Sequence, residues 1–227
     1  MKIEHLFLFI IYLLSYQTSL CQQNSIDSLE RLLPQTTKVD DKVVLYEALI
    51  VKYEEKDPNK VVQYSNQILK LLTENAYETK GNVYNYLGLA YKQLVQHDKA
   101  IACFDSALYC FEFSNSKEKI SATTENKWRA YRYLTVKNLY KDPDKAMKYA
   151  EILLELAPNS NNPDHMAMSY SLIGSIHSIR HQAERSFEYF DSAIYYYKKT
   201  DKAVSIDTII FSGKYLELGK LVQHRKI

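Results

Sequence analysis

Turn-forming residues are scarce in this chain, with five glycines and five prolines among 227 residues, well under average usage. A protein of many strands joined by tight turns needs more such breakers, so the scarcity excludes a strand-rich fold and leaves long helices with few junctions. Cysteine is scarce too. If Cys21 is removed, only Cys103 and Cys110 remain, and on one helix they lie roughly 10 Å apart along the axis, beyond disulfide reach. They read as small buried residues, and there is no CxxC or zinc-like cluster. Charge of one sign is also missing: 29 Lys and Arg face 27 Asp and Glu, for a net charge of +2. No basic stripe for neutralising phosphates results, so nucleic acid is not an expected partner. No G-x-S-x-G, P-loop or dinucleotide fingerprint appears, and neither an enzyme activity nor a cofactor is expected.

Long apolar runs are absent as well. The stretch Leu6 to Leu14 is too short for a membrane helix, which needs about 20 residues. It follows Lys2 and precedes polar Ser15, and Ser19-Leu20-Cys21 then offers small residues around a cleavage point. That is the layout of a signal peptide over 1–21, cut before Gln22. The mature chain is therefore expected to be exported, periplasmic or extracellular, with no stable membrane span. Lipid anchoring through Cys21 is less favoured, because bulky Leu20 stands where that signal wants a small residue.

What is present is self-similarity. Tyr84, Leu87, Gly88 and Tyr91 have the i, i+3, i+4, i+7 spacing of one helix face, and Ala100, Phe104 and Ala107 form a second face after a break at Gln96 to Asp98. The arrangement recurs at Tyr170, Ile173, Gly174 and His177, then Ser186, Phe190 and Ala193. Two further units use another turn. Tyr46, Leu49, Ile50 and Tyr53 lead into Asp57-Pro58, and Tyr131, Leu134 and Thr135 lead into Asp142-Pro143. Asp is a good N-cap and Pro suits the first helical position, so each pair starts a second helix. The alternation suggests a duplicated two-unit block, with an insertion near Phe113 to Ser121 lengthening the middle junction. Glycine inside a helix costs about 1 kcal/mol relative to alanine, so Gly88 and Gly174 predict a close approach of the paired helix.

These units resemble the tetratricopeptide repeat family, whose signature is W-x2-L-G-x2-Y, then A-x3-F and a terminal Pro. The resemblance spans about Asp41 to Leu218. Pro158 fits the terminal proline, Tyr replaces Trp at the first position, and His177 and Asn138 replace the tyrosine that closes the first-helix motif. It implies an all-α, right-handed solenoid of antiparallel helix pairs over 41–227, behind a short helix and linker over 22–40. Four units are expected, plus a partial fifth beginning at Ile209, Gly213 and Leu216, whose second helix would be cut off at Ile227, either because a short polar tail with His224-Arg225-Lys226 caps the solenoid or because this is the front part of a longer chain.

Candidate sites follow from the same frame. His177 and His181 are four apart on one helix face, a spacing metal ligands can use, yet the Glu of HExxH and a third ligand are missing, so a metal-dependent hydrolase is not favoured and no metal is expected. Glu54 and Glu55 read as solvated charge. Tyr46, Tyr84, Tyr131 and Tyr170 recur at one repeat position and read as packing, whereas Tyr195, Tyr196 and Tyr197 cannot share one face, so at least one is expected to be exposed. In the family resembled, ligands lie in a concave groove lined by first helices. The corresponding stripe here starts at Glu47, Val51 and Glu54. It runs through Asn85, Leu89 and Lys92, then Arg129, Arg132 and Val136, and ends at Ser171, Ser175 and Ser178. Chaperone-binding members hold a terminal carboxylate with Lys and Asn pairs four apart, a pattern broken here by Leu89 and Val136. The expected function is a protein- or peptide-binding scaffold. A second expectation comes from Ile26-Asp27-Ser28-Leu29 and the D-P-x-K repeats, which look like the front of membrane-anchored bacterial signalling receptors.

Overall fold

Asp57 and Asp142 both start helices. The Asp57 carboxylate accepts from the backbone N–H of Asn59 at 3.0 Å and of Lys60 at 3.3 Å, and Asp142 accepts from Lys145 N–H at 3.0 Å. Pro58 and Pro143 then take the first helical position, where no N–H is needed. The computed structural model describes residues 25–160 and 162–199. Within them a short helix over 25–32 (α1) is followed by α2 (Val39–Tyr53), α3 (Pro58–Leu71), α4 (Tyr77–Gln93) and α5 (His97–Phe113). Then come α6 (Lys117–Asn138), α7 (Pro143–Leu156), α8 (Asp164–Ile179) and α9 (Ala183–Lys199). Single 3-10 turns sit at Leu33–Gln35 and Ala157–Asn159, the second holding Pro158.

Each long helix packs mainly on the ones before and after it, in the pairs α2/α3, α4/α5, α6/α7 and α8/α9. These four pairs are a helical-repeat solenoid. No strand occurs among the described residues. The second helices carry the knobs: Phe104 and Phe190, 0% and 1% exposed, insert against Gly88 and Gly174. Gly81 makes the same concession to Phe111, an approach the motif did not announce.

Three helix ends use a device that no glycine signals. Val95, Asn115 and His181 adopt φ of 60°, 52° and 57°, the left-handed conformation that closes a Schellman motif. The N–H of Gln96, Ser116 and Gln182 reaches back to the carbonyls of Tyr91, Phe111 and His177 at 2.9–3.0 Å. Asn tolerates this conformation, while a β-branched valine does so under strain.

The N-terminal segment is more than a linker. Ile26 of α1 is 1% exposed and packs with Leu49, Ile50 and Ile68. Glu30 accepts hydrogen bonds from the Tyr64 hydroxyl at 2.5 Å and the Tyr53 hydroxyl at 3.0 Å. The helix thereby covers the first repeat as a cap, as terminal repeats require. The first repeat helix starts at Val39, two residues earlier than the expected boundary. The insertion expected to lengthen the middle junction does not do so. Only residues 114–116 separate α5 from α6, and the additional residues extend α6 itself, because helix continuation satisfies their backbone groups internally.

Cys103 and Cys110 are free, and burial pushes both thiols up from their ordinary pKa. Of the three consecutive tyrosines, Tyr195 is exposed and Tyr197 buried. The signal peptide, Cys21 and the partial fifth unit lie outside the described residues.

Candidate partner-binding groove

The first helices α4, α6 and α8 share one side of the solenoid, and α4 touches α6 directly. Between them opens a concave pocket of about 580 Å³, lined by Lys92, His97, Trp128, Arg129, Arg132, Tyr133, Val136, Asn162, His165 and Met168. Ligand pockets run roughly from 300 to 1,000 Å³. Its floor is aromatic. Trp128 and His165 stack with ring centroids 3.5 Å apart and planes 6° from parallel, and at the rim His97 stacks on Tyr133 at 4.0 Å.

The floor is tied down by hydrogen bonds. Trp128 Nε1–H donates to the Leu153 carbonyl at 3.1 Å and lies 3.4 Å from Ser169 Oγ, which joins α6 to α7 and α8. His165 Nδ1 lies 2.8 Å from Ser160 Oγ. Since the Ser160 hydroxyl reaches the Ala157 carbonyl at 2.9 Å, the tautomer with its proton on Nδ1 satisfies both groups. Glu125 Oε2 stands 3.4 Å from the same nitrogen, a contact short enough for attraction but not a formed hydrogen bond. Burial holds the His165 imidazole below its ordinary pKa; Glu125 and Asp164 oppose this, and Arg129 and Arg132 reinforce it. His97 is likewise lowered by burial and then by Lys137, with Lys92 adding to the effect against Asp98.

Above this floor the pocket is cationic. Arg129 Nε donates to Glu125 Oε1 at 2.7 Å. Lys92 and Arg132 form no ion pair with any described residue. Burial lowers the Lys92 pKa, and repulsion from Arg129 lowers it further, against Glu125. The arrangement suits an anionic group seated beside apolar Val136 and Met168.

Of the stripe read from sequence, Lys92, Arg129, Arg132 and Val136 come together in this pocket. The others fall elsewhere. Asn85 accepts from Thr123 Oγ1 at 3.4 Å, Leu89 packs against the core formed by Ala100, Phe104 and Ala130, and Ser175 donates to the Ser171 carbonyl at 2.9 Å. Sequence reasoning missed Trp128, His165, His97, Tyr133, Asn162 and Met168. One signal was available: Trp128 is the single tryptophan, three residues before Tyr131, where the neighbouring units place Gly81 and Ala167.

The two histidines do not share a helix face: His177 lies on α8, whereas His181 stands beyond its end in the left-handed turn. His177 is 7% exposed, its Nδ1 lies 2.6 Å from Gln182 Oε1, and its ring stacks on Tyr189 at 5.1 Å. Among the described residues no group of three or more His, Cys, Asp or Glu side chains converges to hold a metal. None of the described helices is long and apolar enough to cross a membrane.

Comparison with solved structures places the fold. The crystal structure of BtubC (BKLC) from P. vanneervenii matches with a TM-score of 0.52 at 16% identity, over 82% of this chain and 77% of that one. MamA matches with a TM-score of 0.52 at 16% identity, over 83% of this chain and 95% of that one. The TPR-like repeats of a kinesin light chain from Podosopora anserina match with a TM-score of 0.50 at 14% identity, over 83% and 93%. At these identities the likeness is one of fold, and the fold is tetratricopeptide-like. No protein-family model matches the sequence, and no curated protein matches it either.

Proposed function

We propose that this protein is a binding scaffold that docks a protein or peptide in the concave groove, with the pocket around Arg132 as the anchoring point. The observation that carries the reading is the pairing of unpartnered Lys92 and Arg132 with a rigid Trp128/His165 floor. Leaving the half-buried Lys92 ammonium unpaired costs free energy, and a partner's carboxylate, within reach of exposed Arg132 as well, offsets that cost. The TPR-like fold supports a protein-interaction role rather than catalysis.

We place the scaffold in an exported compartment, periplasmic or extracellular, on the strength of the segment before Gln22. Sequencing the N-terminus of protein recovered from the native host tests this, with Gln22 as the expected first residue. An intact Met1 or a cytoplasmic location would overturn it. A second reading, the front of a membrane-anchored signalling receptor, rests on the segment before Gln22, on Ile26 to Leu29 and on the D-P-x-K repeats, whose aspartates also serve as helix caps.

The groove itself is tested by affinity capture from the host with wild-type protein and Arg132→Glu. Loss of the recovered partner in the variant is expected, together with a change in Trp128 fluorescence when wild type is loaded. Identical recovery by both would remove the groove from the account.

A further inference from the structure

The groove has two electrical ends. On α2, Glu47, Val51 and Glu54 are spaced i, i+4, i+7 and share one face. Glu47 and Glu54 are half-buried, Val51 is 55% exposed between them, and neither carboxylate forms an ion pair with a described residue. Both act on Tyr86 of α4, whose hydroxyl is raised in pKa by burial, then by Glu54 and Glu47. Further along lie Lys92, on the same helix α4, and Arg132 on α6, beside Arg129, whose charge is already paired with Glu125. In the repeat register Glu47, Val51 and Glu54 of α2 stand where Asn85, Leu89 and Lys92 stand on α4, so negative charge falls on this stripe at the first repeat and positive charge at the second and third.

Partial burial of Glu47, Glu54 and Lys92 weakens salt screening at those charges, and a concave low-dielectric wall focuses the field. Such a surface selects partners by charge order more than by total charge. Lys92 stands one helix-to-helix step from α2 and Arg132 two, each step about 10 Å, and an extended chain covers the longer span in about six residues at 3.3 Å each.

We propose that the groove takes a charge-segregated peptide, with basic residues over Glu47 and Glu54 and acidic residues in the pocket of Lys92, Arg129 and Arg132, so that charge order sets the register of the docked chain. The proposal rests on the scaffold reading above and names the partner's chemistry. Acidic residues alone engage half of the groove, and a peptide of mixed, alternating charge engages neither end well.

The test uses two synthetic peptides of identical composition, both acetylated and amidated so that no chain terminus is charged. One carries two lysines, an uncharged spacer of about six residues and two glutamates; in the other, lysine and glutamate alternate at both ends. Fluorescence anisotropy with the full chain is expected to show the segregated peptide binding at least about tenfold more tightly. Glu54→Lys and Arg132→Glu, each confirmed folded by circular dichroism, are both expected to abolish that preference. Equal affinity for the two peptides, or binding of neither, overturns the proposal. If Arg132→Glu still loses the natural partner while the peptides go undistinguished, the scaffold stands and the charge order falls.

Discussion

The ring of Phe104 on α5 lies against the backbone of Gly88 on α4 so closely that a β-carbon at Gly88 would stand 2.6 Å from the ring's Cδ1 and nearer still to Cε1. The ring is fully buried and cannot swing aside. The same pairing recurs at Gly174 and Phe190, with 2.9 Å to Cδ1.

Replacing glycine by alanine inside a helix ordinarily stabilises by about 1 kcal/mol. At Gly88 the sign reverses: Gly88→Ala is expected to lower the melting temperature, and Gly88→Leu to destabilise by roughly 1–3 kcal/mol as an overpacking change. Thermal denaturation followed by circular dichroism checks both, and an alanine variant as stable as wild type would show that the helices can part freely.

Val95 presents the opposite case. It is 57% exposed and held at φ 60°, a conformation that costs a residue with a β-carbon roughly 1–2 kcal/mol. Val95→Gly is expected to raise stability by a few tenths to about 1 kcal/mol, once the greater freedom of glycine in the unfolded chain is subtracted. Chemical denaturation with an unchanged slope and a higher midpoint is the expected result.

Acid should weaken the protein in two windows. For His97 and His165 the folded pKa is lowered from the ordinary 6.5, so the unfolded chain binds protons first. Their contribution is present above about pH 6.5 and is lost as pH falls through the folded values. Glu30 is lowered from its ordinary 4.5, chiefly by the Tyr64 hydrogen bond and against desolvation, so its contribution is lost only in more acidic solution. Melting temperatures measured from pH 7.5 to 3 are expected to fall in both windows. His165→Phe, which keeps a ring on Trp128, should shrink the first to the part that His97 supplies, and Glu30→Gln should flatten the second.

Trp128 holds α6 to α7 and α8 through its stack and its indole hydrogen bond. Trp128→Phe leaves the Leu153 carbonyl short of a donor and is expected to cost roughly 1–3 kcal/mol. Trp128→Ala should cost about 3–5 kcal/mol. Urea titrations compare the two, and equal, negligible losses would deny the ring this role.

Much of the fold could be read directly, because its signals are local. The D-P caps, the Tyr84-to-Tyr91 face and the Gly88/Phe104 pairing depend on residues within two adjoining helices. The exceptions are instructive. The insertion before Ser121 looked like a loop because the repeat period broke there, whereas the backbone simply continued α6. The ends of α4 and α8 carried no glycine, so Val95 and His181 concealed their left-handed turns.

The groove was legible only in part. The stripe offset from the core face contained Lys92, Arg129, Arg132 and Val136, but the same rule took in Leu89, which packs, and Ser175, which bonds to its own helix. A residue's angle on its own helix says which way it leans, not what the neighbouring helix brings to meet it.

The amino-acid sequence by itself determined the helices, their caps and the repeat, since periodicity, capping and glycine's missing side chain act over a few residues. Tertiary structure decided that Trp128 should lie on His165, that Lys92 should stand near Arg129, and that Glu47 and Glu54 should both act on Tyr86. Burial and electrostatic fields depend on how helices distant in sequence are set against each other, and only the packed solenoid supplies that arrangement.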